Sequence, residues 1–395
     1  MTLMLASVTG APEAEIAVRH GADIIDIKDV RSGFGAADPA SVAATVDAVA
    51  RRRLVSAVTG RQDMEPDAVL RVAAAIADAG ASYIKIALYP NPKRSDCLRA
   101  LSALAGRARL IGVMFADHGL DEALVGLMAE CGFCGVMIDT FNKDRGRLLD
   151  HMDIAAVGHF TDAAHGRGLM AGLAGSLEAP DIPRLLLATP DVLGFRRALC
   201  AGEDRNGPLS AAAIDIVRGL IPMDVRRTDA GSPPPSSKLD YRLLAARGYS
   251  LEPKEDGDGD CIFLRDFVLP VRVGAYAHER GKTQSVRFNV EARARRADRL
   301  AEDMRDVVSY DLIADSIRII AAQEHIALVE TLAERIAALI LTHPRVTSVT
   351  VRVEKLEVGP GAAGVEIVRH RPSDVAKVHQ LYPTATAAAD PKAAT

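Results

Sequence analysis

Residues 23–30 read DIIDIKDV. Ile24, Ile25 and Ile27 make the run apolar and β-branched, which is a strand signal. Asp26 and Lys28 stand two apart, so on a strand both point to one side. A strand apolar on both faces belongs in a parallel sheet covered by helices. Charge at its C-terminal end fits a fold that gathers its chemistry there. The same kind of run recurs as LMLASV, LVSAV, YIKIALY, RLIGVMF, GVMIDT, LMAGLAG and VLGF, with helical patterns such as SVAATVDAVARR and DAVLRVAAAIADAG between them. Eight strand–helix units predict an α/β fold of (β/α)8 TIM-barrel type over residues 1–222. An open doubly wound sheet is the competitor, but no Gly-rich dinucleotide fingerprint follows the first strand.

The alternation stops near Pro222. RRTDAGSPPPSSKLD and EPKEDGDGD, rich in Pro, Ser and charge, mark residues 223–258 as a linker. Between them DYRLLAARGYSL has the pattern of one short helix. From Cys261 the periodicity changes. Two long alternating strands, two amphipathic helices (DLIADSIRIIAAQ and VETLAERIAALILTH) and two more strands predict a β-β-α-α-β-β domain of α+β class over 259–373. The tail 374–395, with TATAAADPKAAT, reads as disordered.

Composition narrows the function classes. The 395 residues carry a net charge of −4, which gives no basic surface of the kind nucleic acid binding needs. No apolar run reaches the roughly 18 residues of a membrane span. MTLMLASVTG lacks the basic start and long apolar stretch of a signal peptide, so a cytoplasmic protein is expected. Five cysteines without framework spacing fit a reducing compartment. Cys131 and Cys134 in CGFC have redox or metal spacing, but no second pair or nearby histidine completes a zinc site. They read as two small residues before a strand.

The chemistry is expected where the strands end. Asp26 and Lys28 close the second run, Lys85 sits inside YIKIALY, Asp139 closes VMIDT, and Lys143 follows four residues later. A lysine held in an apolar barrel loses part of its preference for the charged form, and a neutral amine is a nucleophile toward carbonyls. Structural ion pairs such as Asp26 with Lys85 are the competing reading, but burying five charges for architecture alone is costly. Gly175 and Ser176 in LAGS, and Gly194 and Arg196 in LGFR, lie at the ends of the seventh and eighth runs, where barrels often bind phosphate. Arg197 adds charge there. Amine catalysis on a phosphorylated carbonyl compound, an aldolase-like chemistry, is the outcome.

ADIIDIKDVRSGFGA, YIKIALY, MIDTFNKDR, LAGSL and GFRRALCAGEDRNG together resemble the (5-formylfuran-3-yl)methyl phosphate synthases of methanofuran biosynthesis over residues 1–222. The resemblance implies condensation of two glyceraldehyde 3-phosphate molecules. Lys28 would form the Schiff base, Lys85 would be the general acid/base, and Asp26, Asp139 and Lys143 would complete the site. GFRRALC departs from the pattern, with Arg197 and Leu199 at positions expected to be small.

In the second part, VGAYAHERGKTQ, DVVSYDLIADSI, LVETLAERIA, VRVEK and GVEIVR resemble dihydroneopterin aldolase over residues 260–370. This family has a tunnelling fold whose subunits join their sheets into a ring, so a homo-oligomer is implied. Carried over, Glu330 anchors the pterin, Lys355 is the general acid/base, Tyr310 assists protonation and Glu279 contacts the substrate side chain. The implied reaction is retro-aldol cleavage of 7,8-dihydroneopterin or a related pterin, with no metal or cofactor. Leu356 and GPGAAG replace the family's Lys-Pro and Pro-rich loop. A bifunctional enzyme is therefore expected. The alternatives are a synthase whose second domain only oligomerises, and a Schiff-base aldolase for another sugar phosphate.

Overall fold

The computed structural model describes residues 1–29, 37–60, 64–222, 259–276, 279–295, 307–358 and 361–371. The expected linker, its short helix and the tail lie outside the described residues. Eight strands, β1 (Leu3–Val8), β2 (Ile24–Ile27), β3 (Leu54–Val58), β4 (Tyr83–Ala87), β5 (Arg109–Phe115), β6 (Gly135–Asp139), β7 (Met170–Leu173) and β8 (Val192–Phe195), pair in parallel and in chain order into a closed barrel.

Their apolar runs serve two layers at once. In β4, Ile84 and Ile86 face the helices, at 0% and 1% exposed, while Tyr83, Lys85 and Ala87 face the lumen. Burying each isoleucine contributes about 1.5–3 kcal/mol. Leu5, Ile24, Tyr83, Ile111 and Val192 fill the lumen nearer the strand starts. The next lumen positions toward the strand ends are polar: Ser7, Asp26, Ser56, Lys85 and Asp139, all at most 6% exposed. The helices between strands start where the sequence signals them, for example with Pro39 in the first turn and the Asp38 side chain accepting from the Ser41 N–H.

The second domain is a four-stranded antiparallel sheet in the order β12-β11-β10-β9, formed by β9 (Gly259–Val271), β10 (Gln284–Arg295), β11 (Val346–Lys355) and β12 (Ala363–His370). Val286, Phe288, Val290 and Ala292 of β10 alternate inward, all 0% exposed. They meet Ile313, Ile317 and Ile320 from the helix Tyr310–Ala322, and Leu332, Ile336 and Ile340 from the helix Val329–Ile340. The outer face of Tyr310–Ala322 lies against the barrel. Ile319 packs on both cores, and Leu187 of the barrel packs on the second core. No helix among the described residues is long and apolar enough to cross a membrane.

Candidate active sites

At the C-terminal mouth of the barrel, Asp26 is completely buried and receives four groups. Ser7 Oγ donates to its Oδ2 at 3.2 Å, and Ser56 Oγ donates to its Oδ1 at 2.7 Å. Lys85 Nζ lies 2.6 Å and Lys28 Nζ 4.0 Å from Oδ2. The arrangement follows from register, since Ser7, Asp26 and Ser56 are neighbours across β1, β2 and β3. Across the lumen, Asp139 pairs with Lys143, and its Oδ1 accepts from the Thr140 N–H at 2.8 Å. Asp117 accepts from the N–H groups of Phe141 and Asn142 and so fixes the loop that carries Lys143.

These surroundings act on the amines. Burial pushes Lys28 down from 10.5 to about 8; Asp26 and Asp139 oppose this, and the Lys85 and Lys143 cations assist it. Burial also lowers Lys143, against the pull of Asp139. Asp139 is held below the usual carboxylate range: burial acts to raise it, and the Lys143 and Lys28 cations outweigh that.

One pocket of about 550 Å³ is lined by Asp26, Lys28, Lys85, Asp139 and Lys143, and by Gly175, Ser176, Gly194 and Arg196 from the strand-seven and strand-eight ends. Gly175 has φ +118, and a Cβ there would lie 2.9 Å from Thr140 Cγ2, so the turn requires glycine. The Gly175 and Ser176 N–H groups have no acceptor among the described residues. Gly194 lies within β8, where its missing side chain leaves room for Met137 and Ala174.

Arg196 reaches the same pocket with its guanidinium already engaged. Read from sequence as a substrate ligand, it spends all five N–H donors inside the chain. They go to both oxygens of Glu13 and to the carbonyls of Ser7, Arg205 and Gly207. It clamps the loop that presents Arg205, and Arg205 and Arg197 line the pocket beside it.

In the second domain, Lys355 at the end of β11 pairs with Glu279. Glu279 also accepts from the Tyr276 N–H at 2.9 Å and from Gln284 Nε2 at 3.0 Å. The hydrogen bond from Lys355, followed by those from Tyr276 and Gln284, lowers its carboxyl to about 2. Gly274 lies directly beneath that carboxylate; a Cβ there would sit 2.3 Å from it. Tyr310 is 64% exposed at the start of its helix, and Glu330 is exposed in the first turn of the next. Neither makes a recorded contact with the Glu279–Lys355 pair among the described residues.

Residues 4–218 match the 4-HFC-P synthase family, just over half of the chain. The chain belongs to that family. A Methylorubrum extorquens protein provisionally named (5-formylfuran-3-yl)methyl phosphate synthase is 40% identical over 212 residues, 53% of this chain and 88% of that protein. The synthase of that name from Methanopyrus kandleri is 34% identical over 216 residues, 51% of this chain and 91% of its own. Residues 262–368 match the dihydroneopterin aldolase family, and the second domain has that family's fold. A Burkholderia dihydroneopterin aldolase bound to guanine is 33% identical and aligns with 29% of this chain and 92% of its own, at a TM-score of 0.26. Both are families of lyase-type enzymes.

The synthase domain also contains site residues that sequence reading missed. Ser7, Ser56 and Asp117 each hold a charged element in place. A strand serine carries no signal of its own until the register is known. Arg205 stood in the quoted GFRRALCAGEDRNG stretch, but nothing there distinguished it from Arg196. Cys131 and Cys134 are free thiols, raised by burial, and Cys134 Sγ donates to the Leu110 carbonyl.

Proposed function

We propose that the chain is bifunctional, with residues 1–222 and 259–373 as its two catalytic domains. In the barrel, Lys28 attacks the aldehyde of glyceraldehyde 3-phosphate and forms an iminium with loss of water. Lys85 passes its proton to Asp26 and, as the neutral amine, removes the proton next to the iminium carbon; the resulting enamine adds to a second aldehyde. Loss of phosphate and water with ring closure then gives (5-formylfuran-3-yl)methyl phosphate. Asp139 and Lys143 bind the polar groups of the growing chain. The Gly175 and Ser176 N–H groups, with Arg197 and Arg205, take the phosphate; Gly194 leaves the space it fills.

The observation that carries this reading is an amine at about 8 placed 4.0 Å from a buried carboxylate that already holds a second lysine. Borohydride trapping with glyceraldehyde 3-phosphate, followed by intact mass and peptide mapping, tests it. A stable adduct on Lys28, absent in Lys28→Ala, is expected. Consumption of the aldehyde without an adduct would sink the Schiff base.

In the second domain, Lys355 relays protons during retro-aldol cleavage of 7,8-dihydroneopterin. Glu279 orients Lys355 and the side chain of the substrate. Glu330 binds the 2-amino-pyrimidine edge, for which a carboxylate has the matching geometry. The exposure of Tyr310 and Glu330 favours a homo-oligomer in which neighbouring subunits complete each site. An oligomerisation module without activity is the second reading, and release of glycolaldehyde from dihydroneopterin separates the two. The five free cysteines favour a cytoplasmic setting.

A further inference from the structure

We propose that Arg184, a residue of the barrel, is a positioning residue for the pterin-cleaving site of the second domain. Asp315 lies on the helix Tyr310–Ala322 and is 0% exposed. A buried carboxylate needs charge-assisted partners, and half of what Asp315 has comes from the other domain. Arg184 Nε meets Asp315 Oδ2 at 2.6 Å, and its Nη2 meets Oδ1 at 3.3 Å, a two-pronged contact. Arg318, one turn along the same helix, adds a bond to Oδ1 at 3.0 Å.

The donor is itself held firmly. Arg184 sits on the short helix Asp181–Leu186, whose first residue is 1% exposed. Asp181 accepts from Arg147 Nη1 at 3.0 Å and from the Glu178 N–H at 2.9 Å. Leu187 and Ile319 pack across the junction. Apolar packing alone would let one helix slide on the other. A bidentate pair fixes both rotation and height. The helix so fixed begins with Tyr310, five residues before Asp315. The barrel therefore sets where that phenol stands.

This rests on the reading of the second domain as a dihydroneopterin-cleaving site with Tyr310 in proton transfer. The test uses the full chain. Arg184→Met keeps the apolar stem and removes the charge, and Arg184→Lys keeps the charge. The readouts are kcat and KM for 7,8-dihydroneopterin, the furan-forming rate, and hydrogen exchange in the peptide 310–322. For Arg184→Met, misplacing a group that acts in proton transfer is expected to lower kcat about tenfold or more, with KM little changed. Exchange in the peptide is expected to quicken while the furan-forming rate stays that of the wild type. Arg184→Lys, which keeps the charge but not the fork, is expected to recover part of the loss. A wild-type kcat in Arg184→Met, or equal losses in the Met and Lys variants, overturns the proposal. A wild-type chain inert toward dihydroneopterin instead removes the reading beneath it.

Discussion

Lys28 and Lys85 carry the same functional group in one pocket, yet their partners differ. Lys85 touches Asp26 at 2.6 Å, whereas Lys28 stands 4.0 Å off and is lowered to about 8. A fall from 10.5 to about 8 raises the neutral-amine fraction at pH 7 by roughly 300-fold. That difference suits Lys28 to nucleophilic attack. Adduct formation should therefore rise with pH and level off above an inflection near 8, as read by quenched borohydride trapping across a pH series. Lys85→Met removes a neighbouring cation and leaves Asp26 free to act on Lys28. Both effects raise the Lys28 value, so the inflection should move to higher pH. An unmoved inflection would mean that the two amines are not coupled.

At the scale of elements, strand ends and the turns after them carry the residues proposed to act. Gly175→Ala forces a side chain into φ +118 and against Thr140, a strain of about 1–3 kcal/mol. The expected result is a raised KM for glyceraldehyde 3-phosphate and a lowered Tm, by steady-state kinetics and thermal unfolding. The barrel itself was legible, because runs such as YIKIALY have to be apolar on both faces to sit between lumen and helices. Lys85 was legible for the same reason: a charge within such a run has no solvent to reach. Ser7 and Ser56 were not, since their meaning depends on lying level with Asp26 in adjacent strands. The pairing of Arg196 with Glu13 was not legible, because an arginine just past a strand-end glycine looks the same whether it faces an anion or a carboxylate of its own chain. Glu279 and Lys355, 76 positions apart, were read only through a family resemblance; antiparallel pairing of β10 with β11 and the loop before β10 bring them together.

At the scale of the whole molecule, the two proposed chemistries share one chain without sharing a lumen. Lys28→Ala should abolish furan formation and leave dihydroneopterin cleavage intact, while Lys355→Ala should do the reverse. Parallel assays of both variants check this, and loss of both activities in either one would point to a single coupled site. The barrel mouth has a further consequence. A chain of net charge −4 lines this pocket with three lysines and three arginines against two aspartates. Walls of low polarizability concentrate that field outward, so a phosphorylated aldehyde, the proposed substrate, would be drawn in before it touches anything. Raising ionic strength from about 0.01 to 0.15 M shortens the reach of such a field from about 30 to 8 Å. Capture should slow accordingly, with kcat/KM for the phosphate ester falling while kcat holds. The electrostatic funnel would then govern how fast the enzyme fills when its substrate is scarce, leaving the rate of bond-making to the lysines below.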